Sequence, residues 1–387
     1  MTTDLIEHTQ VAIIGGGPAG TCCALRLAQL GITDVTIIEA ANYQNFRIGE
    51  SIPPESKALF LKLGLWQGFL AQQHEPCYGS CSWWGDQRRG YNDSMLNPLG
   101  HGWHLNRPKF NAFLAEQTKK SGIKLLTNCQ FDGNEQVTCS SMLAKKIAHG
   151  LKLTTKQAGK SKTKKLQADF VVDASGGKAV FATLQGQQKT SHNSLVSLAC
   201  LFEIVDDDYP LSKQTHLEAI EHGWWYAARL PDNKVILSLN TDAQTVKQLA
   251  LQQDNNWLAL LQQSTNSAHL LSGLKMLDKR PKSYPAPSFI LDKVVGSAWL
   301  AIGDAASSFD PITSGGIFKS ISDGVIAAEV INDVFLADVD EQKAFFLSQY
   351  QDLVSQRYQQ YLQVRQQHYR QEQRFPQSDF WQLMQGA

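Results

Sequence analysis

Residues 11–39 constrain the fold more than any other stretch of this chain. Val11-Ala-Ile-Ile14 is a short β-type run, Gly15-Gly16-Gly17-Pro18-Ala19-Gly20 follows it, and the helix-like CCALRLAQL runs on to Gly31. Val35-Thr-Ile-Ile38 then supplies a second strand, with Glu39 next. Strand, Gly-x-Gly-x-x-Gly, helix, strand and acid are the fingerprint of a dinucleotide-binding βαβ unit. Gly15, Gly17 and Gly20 let the backbone approach a pyrophosphate at a helix N-terminus, and Glu39 takes ribose hydroxyls. NAD and FAD fit this segment equally well.

The chain then departs from a simple NAD dehydrogenase. Arg47 comes soon after the ribose acid, where it can pair with a pyrophosphate, and a Gly49-Glu50-Ser51 turn precedes two prolines and can sit beside an isoalloxazine ring. Far downstream, GDAASSFDPITSGGIFKSISDG (residues 303–324) brings an aspartate, small residues, Pro311 and two glycines to one helix start. Backbone N–H groups there point outward, where a large planar ligand can meet them.

With 387 residues, 43% of them hydrophobic, the chain exceeds one compact core, and two interleaved domains are expected. Lysine plus arginine equal aspartate plus glutamate at 36 each, so no net field steers it toward nucleic acid or membrane. Neither partner is expected. The cysteines number seven, an odd count without framework spacing, which points to a reduced, cytoplasmic compartment. The start MTTDLIEHTQ lacks a basic n-region, and the apolar stretch near 194–205 is too short to span a bilayer.

Three further segments complete a pattern: Trp103-His-Leu-Asn-Arg107-Pro-Lys-Phe110, Ala168-Asp-Phe-Val-Val-Asp173-Ala-Ser-Gly-Gly177 and Trp299-Leu-Ala-Ile-Gly303-Asp304-Ala-Ala306. In order with the first motif, they resemble the flavin-binding signature of glutathione-reductase-type flavoprotein monooxygenases and flavin-dependent halogenases. The resemblance implies FAD as cofactor, contacted by Arg107, with Asp173 close to the nucleotide and Asp304 on the ribityl chain. It also implies an α/β fold: an FAD-binding Rossmann domain with an inserted, mainly antiparallel β-sheet substrate domain and C-terminal helices. Phe309-Asp-Pro311-x-x-Ser314-Gly315 corresponds to the segment that places proline near the flavin ring, with Gly315 and Gly316 N–H groups at its pyrimidine edge. A helix N-terminus there would stabilise the negative charge of a reduced flavin.

Within that family the chain looks closest to the LodB/GoxB-type flavoproteins that mature cysteine tryptophylquinone in quinoprotein oxidases. The residues carrying this are Glu221-His-Gly-Trp224-Trp225-Tyr226-Ala-Ala-Arg-Leu-Pro231, Gly49-Glu-Ser-Ile-Pro-Pro54 and the tail Tyr369-Arg-Gln-Glu372-Gln-Arg374-Phe-Pro376-Gln-Ser-Asp-Phe380-Trp381. A tryptophan halogenase is expected to carry a lysine after the Glu50 turn, yet CYGSCSWWGDQRRGYN has none, and the halogenase Trp-x-Trp-x-Ile-Pro pattern is replaced. The resemblance therefore implies a monooxygenase working through a flavin C4a-hydroperoxide on a peptidyl tryptophan, with a quinoprotein oxidase precursor as partner. A small-molecule aromatic hydroxylase or halogenase of the same fold is the first alternative, and a docking chaperone whose flavin does no chemistry is the second. Electrons come from a flavin reductase or directly from NAD(P)H.

Candidates for catalysis follow from proximity to these segments. Glu50, His101 and His104 are the acid–base candidates, with Glu50 and His104 preferred and Pro311 at the ring. Trp83, Trp84, Trp224, Trp225 and Tyr226 can line a dry aromatic pocket, but adjacent residues of a strand point to opposite faces, so one ring of each tryptophan pair is expected there; Trp83 and Trp225 are chosen. No metal is expected, because Cys77-x-x-x-Cys81 lacks a second ligand pair and Asp206-Asp207-Asp208 lacks the rest of a calcium loop. Gly159-Lys160-Ser161 imitates the end of a P-loop, but Thr154 stands where a glycine is needed and KSKTKK reads as a solvated hairpin turn.

Chain order suggests FAD-domain segments at 1–75, 105–185 and 290–335, with 76–104 and 186–289 in the substrate domain and 336–387 as a helical tail. LVSLACLFEIV, WWYAARL and KVILSLNT read as strands of the substrate sheet. Phe345, Tyr350, Val354, Tyr358, Tyr361 and Val364 recur at helical spacing and predict a helix packed on the flavin domain.

Overall fold

The computed structural model describes residues 7–138, 147–157, 160–206, 208–253 and 255–386. Cys139, Gly159 and Asp207 lie outside these described residues. β1 (Glu7–Ile14) runs parallel between β2 (Val35–Ile38) and the long strand Lys160–Asp173, with Val11 opposite Val35 on one side and Phe170 on the other. Lys124–Leu126 extends the sheet beyond β2, and Trp299–Ala301 extends it beyond the long strand, both parallel. Val11–Ile14 and all of β2 are buried, as parallel strands covered by helices require. One cover is α1 (Pro18–Gln29), which crosses the helix Gly316–Leu336 at Gly324. A Cβ on Gly324 would stand 2.4 Å from the Ala19 carbonyl oxygen, so only glycine lets the two backbones meet.

The second sheet runs in the order Leu274–Met276, Leu195–Ile204, Lys234–Asp242, Gly223–Leu230, Thr215–Ile220, Gly79–Trp83, Arg89–Asp93, with Lys282–Pro285 also paired to Leu195–Ile204. Its pairings are antiparallel except that of Thr215–Ile220 with Gly79–Trp83. The three stretches read as strands from their alternation are its central members. Alternation also divides its faces: Trp225, Leu237 and Leu239 pack with Trp257 on the back, while Trp224, Tyr226, Ile236, Ser238 and Asn240 face the first sheet's side of the molecule.

KSKTKK is not a turn. It begins the strand Lys160–Asp173, which pairs antiparallel with Ile147–Gln157 up to Gln157 opposite Lys160. The C-terminal helix Asp340–Gln371 buries Tyr350, Val354, Tyr358, Tyr361, Arg365 and Tyr369 along one stripe, whereas Phe345 and Val364, expected in that stripe, are exposed. Tyr350 donates to the Ala301 carbonyl at 3.0 Å and so docks this helix on the first sheet. Among the described residues no helix is long and apolar enough to cross a membrane, and no group of three His, Cys, Asp or Glu could hold a metal ion. Six described cysteines are free and buried.

Candidate active site

A cavity of about 660 Å³ lies between the two sheets, within the range of sites that enclose organic ligands. One end is the start of α1. Gly15 takes a left-handed φ of +112° and a Cβ there would strike the Ala174 carbonyl at 2.2 Å, so the turn demands glycine. Gly17 is the N-cap, no side chain caps the first turn, and a Cβ on Gly17 would meet nothing within 4 Å. The free N–H groups thus open into the cavity, an arrangement suited to an anion. Gly20 does not line the cavity; a Cβ there would lie 2.0 Å from the Gly15 carbonyl, so it packs helix onto strand.

Glu39 is buried at this end, accepting from Gly16 N at 2.7 Å and Ala41 N at 2.8 Å, which leaves a lone pair on each oxygen for hydroxyl donors. Arg47 lines the cavity half-exposed, its guanidinium 4.0 Å from Glu39. Asp173 is different from expectation. Its carboxylate accepts from Ser175 N and Oγ and from Phe181 N and Ala182 N, capping the short helix Val180–Leu184. With four donors it is not among the residues lining the cavity, and Ala174, Ser175 and Gly176 form the wall there.

In mid-cavity stands Asp304, with no hydrogen-bond partner among the described residues; burial raises its carboxyl from the ordinary range. The adjoining Gly303 is left-handed at φ +59° and is clamped by Lys319 Nζ on its carbonyl at 2.9 Å and Asp323 on its N–H at 3.2 Å. An acceptor-only side chain held by a rigid turn needs hydroxyl donors, as a polyol chain offers. Arg107 is buried, donates to the Ile48 carbonyl at 2.9 Å and the Gly49 carbonyl at 2.5 Å, and keeps its Nε unpaired. It therefore shapes the Gly49–Ser51 turn from beneath.

At the other end, Phe309, Asp310, Pro311, Ser314 and Gly316 line the cavity where the 21-residue helix Gly316–Leu336 begins. Gly315 is its N-cap, and no side chain satisfies the first N–H groups. The loop is held from outside by the C-terminal helix. Arg365 Nε reaches Asp310 at 3.2 Å, Tyr369 donates to Asp310 at 2.9 Å, Asp310 N donates to Tyr361 at 2.7 Å, and the Tyr361 ring stacks on Phe309 at 4.0 Å.

Glu50 lies beside this end, 4% exposed, its Oε1 without a partner; burial pushes its carboxyl up to about 7 against the partial pull of Arg107. A carboxyl poised near neutrality at a cavity wall suits proton transfer. His104 does not reach the cavity. Both its ring nitrogens are spent, one on the Arg229 carbonyl at 2.9 Å and one on Thr215 Oγ1 at 3.0 Å, and burial pushes its pKa down to about 4. His101 also lies outside, bonded to the Gly102 carbonyl and packed on Trp103. Trp225 belongs to the back core with Trp257, and Trp83 sits under Arg89 beside His216, so neither lines the cavity. Trp224 takes the place expected for Trp225, its indole N–H on Tyr369 at 3.2 Å, and Trp84 packs behind it. Ser197, Ser238 and Asn240 escaped sequence reading. Their signal is polar side chains at alternate positions of otherwise apolar strands.

The fold and this cavity define an FAD-dependent oxidoreductase: a dinucleotide-binding sheet with a parallel centre, a second, mainly antiparallel sheet, and donors and acceptors spaced along a channel between them. Residues 10–94 and 84–387 match the tryptophan halogenase family, and the chain belongs to it. LodB of Marinomonas mediterranea, assigned as an FAD-dependent oxidoreductase, is 26% identical over 97% of each chain. The flavin-dependent halogenase CmlS superposes with a TM-score of 0.83 at 23% identity, covering 97% of this chain and 67% of its own. The peptidyl tryptophan dihydroxylase QhpG, essential for tryptophylquinone cofactor biogenesis, superposes at 0.78 with 22% identity over 98% of this chain and 79% of its own. The uncapped α1 start, the lone pairs of Glu39, the unpartnered Asp304 and the uncapped start at Gly316 fit the pyrophosphate, ribose, ribityl chain and ring of FAD in turn.

Proposed function

We propose that the protein is an FAD-dependent monooxygenase that hydroxylates a tryptophan side chain of a partner protein during tryptophylquinone biogenesis. The observation that carries this reading is the cavity wall formed by the second sheet: Trp224, Tyr226, Ser197 and Asn240, with the carboxyl of Glu50 nearby. Among the described residues, the one lysine lining the cavity is Lys178, which follows the Ser175–Gly176 wall in the chain. Aromatic faces accept an indole ring, and a carboxylate near neutrality accepts the ring proton that must leave when a C–O bond forms. Bound and reduced, FAD supplies the two electrons with which one atom of dioxygen enters the ring and the other leaves as water.

Glu50 acts as the base, while Trp224 and Tyr226 hold the ring and exclude water. Arg107 fixes the Glu50 turn, and Pro311 sets the end of the channel. The nearly full mutual coverage with LodB supports the assignment, and QhpG shows that this fold accommodates a peptidyl substrate. Family membership favours halogenation of a small aromatic as the second reading.

Intact-mass spectrometry of a quinoprotein precursor co-expressed with the protein separates these readings. Oxygen added to one tryptophan with wild type, and absent with Asp304→Ala or Gly17→Ala variants that lack FAD, is the expected result. An unmodified precursor beside flavin-loaded protein would sink the proposal, and halide-dependent modification of free tryptophan would replace it with the second reading.

A further inference from the structure

The second sheet ends in a strand whose outer edge is unpaired. Arg89–Asp93 is the last member of the sheet order, every residue of it is exposed, and among the described residues no strand pairs with its outer side. Its inner side pairs antiparallel with Gly79–Trp83, Trp83 opposite Arg89 and Gly79 opposite Asp93. Hydrogen bonding alternates along an antiparallel pair, and two contacts fix its phase here. Ser94 N donates to the Tyr78 carbonyl at 2.9 Å, so residue 94 bonds inward. A Cβ on Gly79 would stand 2.6 Å from Asp93 Cα, the close approach of a pair without hydrogen bonds. Gly90 and Asn92 therefore bond inward, while Arg89, Tyr91 and Asp93 turn their N–H and C=O groups outward.

Such an edge is a template for another strand, and proteins commonly blunt it with charge. On this edge the charges have opposite signs and stand two residues to either side of Tyr91. A twofold axis through Tyr91 sets the strand antiparallel to a second copy of itself, with Arg89 opposite Asp93 of that copy, Tyr91 opposite Tyr91 and Asp93 opposite Arg89. The facing residues are the ones with outward backbone groups, so each pair exchanges two N–H···O bonds. Neither charge has an ion-pair partner among the described residues. Arg89 lies over the Trp83 and Tyr91 rings at 5.0 and 5.1 Å with one N–H on Cys81 Sγ, and Asp93 accepts from Met95 N at 3.1 Å. Met95 and Leu96, 84% and 94% exposed, follow the strand, and the same register carries them beside the turn at residues 86–88 of the second copy.

We propose that this edge is an isologous dimer interface, through which two copies of the chain join their second sheets into one continuous sheet.

Sedimentation velocity of the FAD-loaded full chain over a range of concentrations tests this, with three variants. Wild type is expected to pass from monomer to dimer as concentration rises. Asp93→Arg sets like charges opposite each other at both ends of the strand and is expected to weaken association by about tenfold or more. Arg89→Asp combined with Asp93→Arg exchanges the signs and is expected to restore it. Tyr91→Pro is expected to abolish the dimer and to leave thermal unfolding of the monomer close to wild type, because it removes an N–H that the chain's own ladder does not use. Wild type that stays monomeric at the highest soluble concentration overturns the proposal, as does a dimer that survives Tyr91→Pro. A double variant as weakly associated as Asp93→Arg alone overturns the register.

Discussion

Glu50→Gln is expected to lower formation of oxygenated product by about 10²–10⁴-fold, the usual contribution of a positioned base, while making the FAD-free protein more stable above neutral pH. Both effects come from one environment. Burial raises the Glu50 carboxyl from 4.5 to about 7, so between those values the native state keeps a proton that the unfolded chain has released. Stability therefore falls as pH rises across this window, and above it the full penalty, about 3 kcal/mol, is present. Glutamine carries no such penalty. Urea unfolding at pH 8 should show the variant to be the more stable, and the two proteins should converge near pH 4. The wild-type rate should rise with pH through about 7, because the base must be ionised, and the variant should lack that limb. A rate that falls across the same range would assign Glu50 the role of an acid and contradict the base.

Arg365→Met carries the second large effect. Arg365 and Asp310 form an ion pair with side chains 1% and 0% exposed, and removing one partner of such a pair costs about 3–5 kcal/mol by stranding the other charge. Tyr369 and Ile312 N still reach Asp310, which places the expected loss at the lower end. Because Asp310 anchors the loop carrying Pro311 and Ser314, FAD retention on gel filtration should fall with stability. Adding Asp310→Asn should restore most of the stability, since neutralising both members of a buried pair removes the stranded charge. A single-variant loss below about 1 kcal/mol in urea unfolding would show that the pair does not hold the loop.

The residues that reached their expected places did so for local reasons. Gly15, Gly17 and Glu39 are bound to one strand-turn-helix unit whose geometry is written in their spacing. Glu50, Arg107 and Asp304 were placed by resemblance, and the structure brings all three to one cavity. The errors share a physical cause. Trp224 and Trp225 alternate on one strand, and alternation says that they part but not which face meets the cavity. His104 and Asp173 look reactive in sequence, yet each is consumed by backbone groups and hydroxyls that only the folded chain delivers. Arg365 was legible in principle: it stands four residues from both Tyr361 and Tyr369 on a buried stripe, and a charge there calls for a buried partner.

The most direct test uses purified, FAD-loaded protein, a chemical reductant, a quinoprotein precursor and isotopically labelled dioxygen, followed by tandem mass spectrometry. The proposed function predicts labelled oxygen on one tryptophan of the precursor. A precursor without label, beside free indole that gains bromine or chlorine when halide is added, would contradict it.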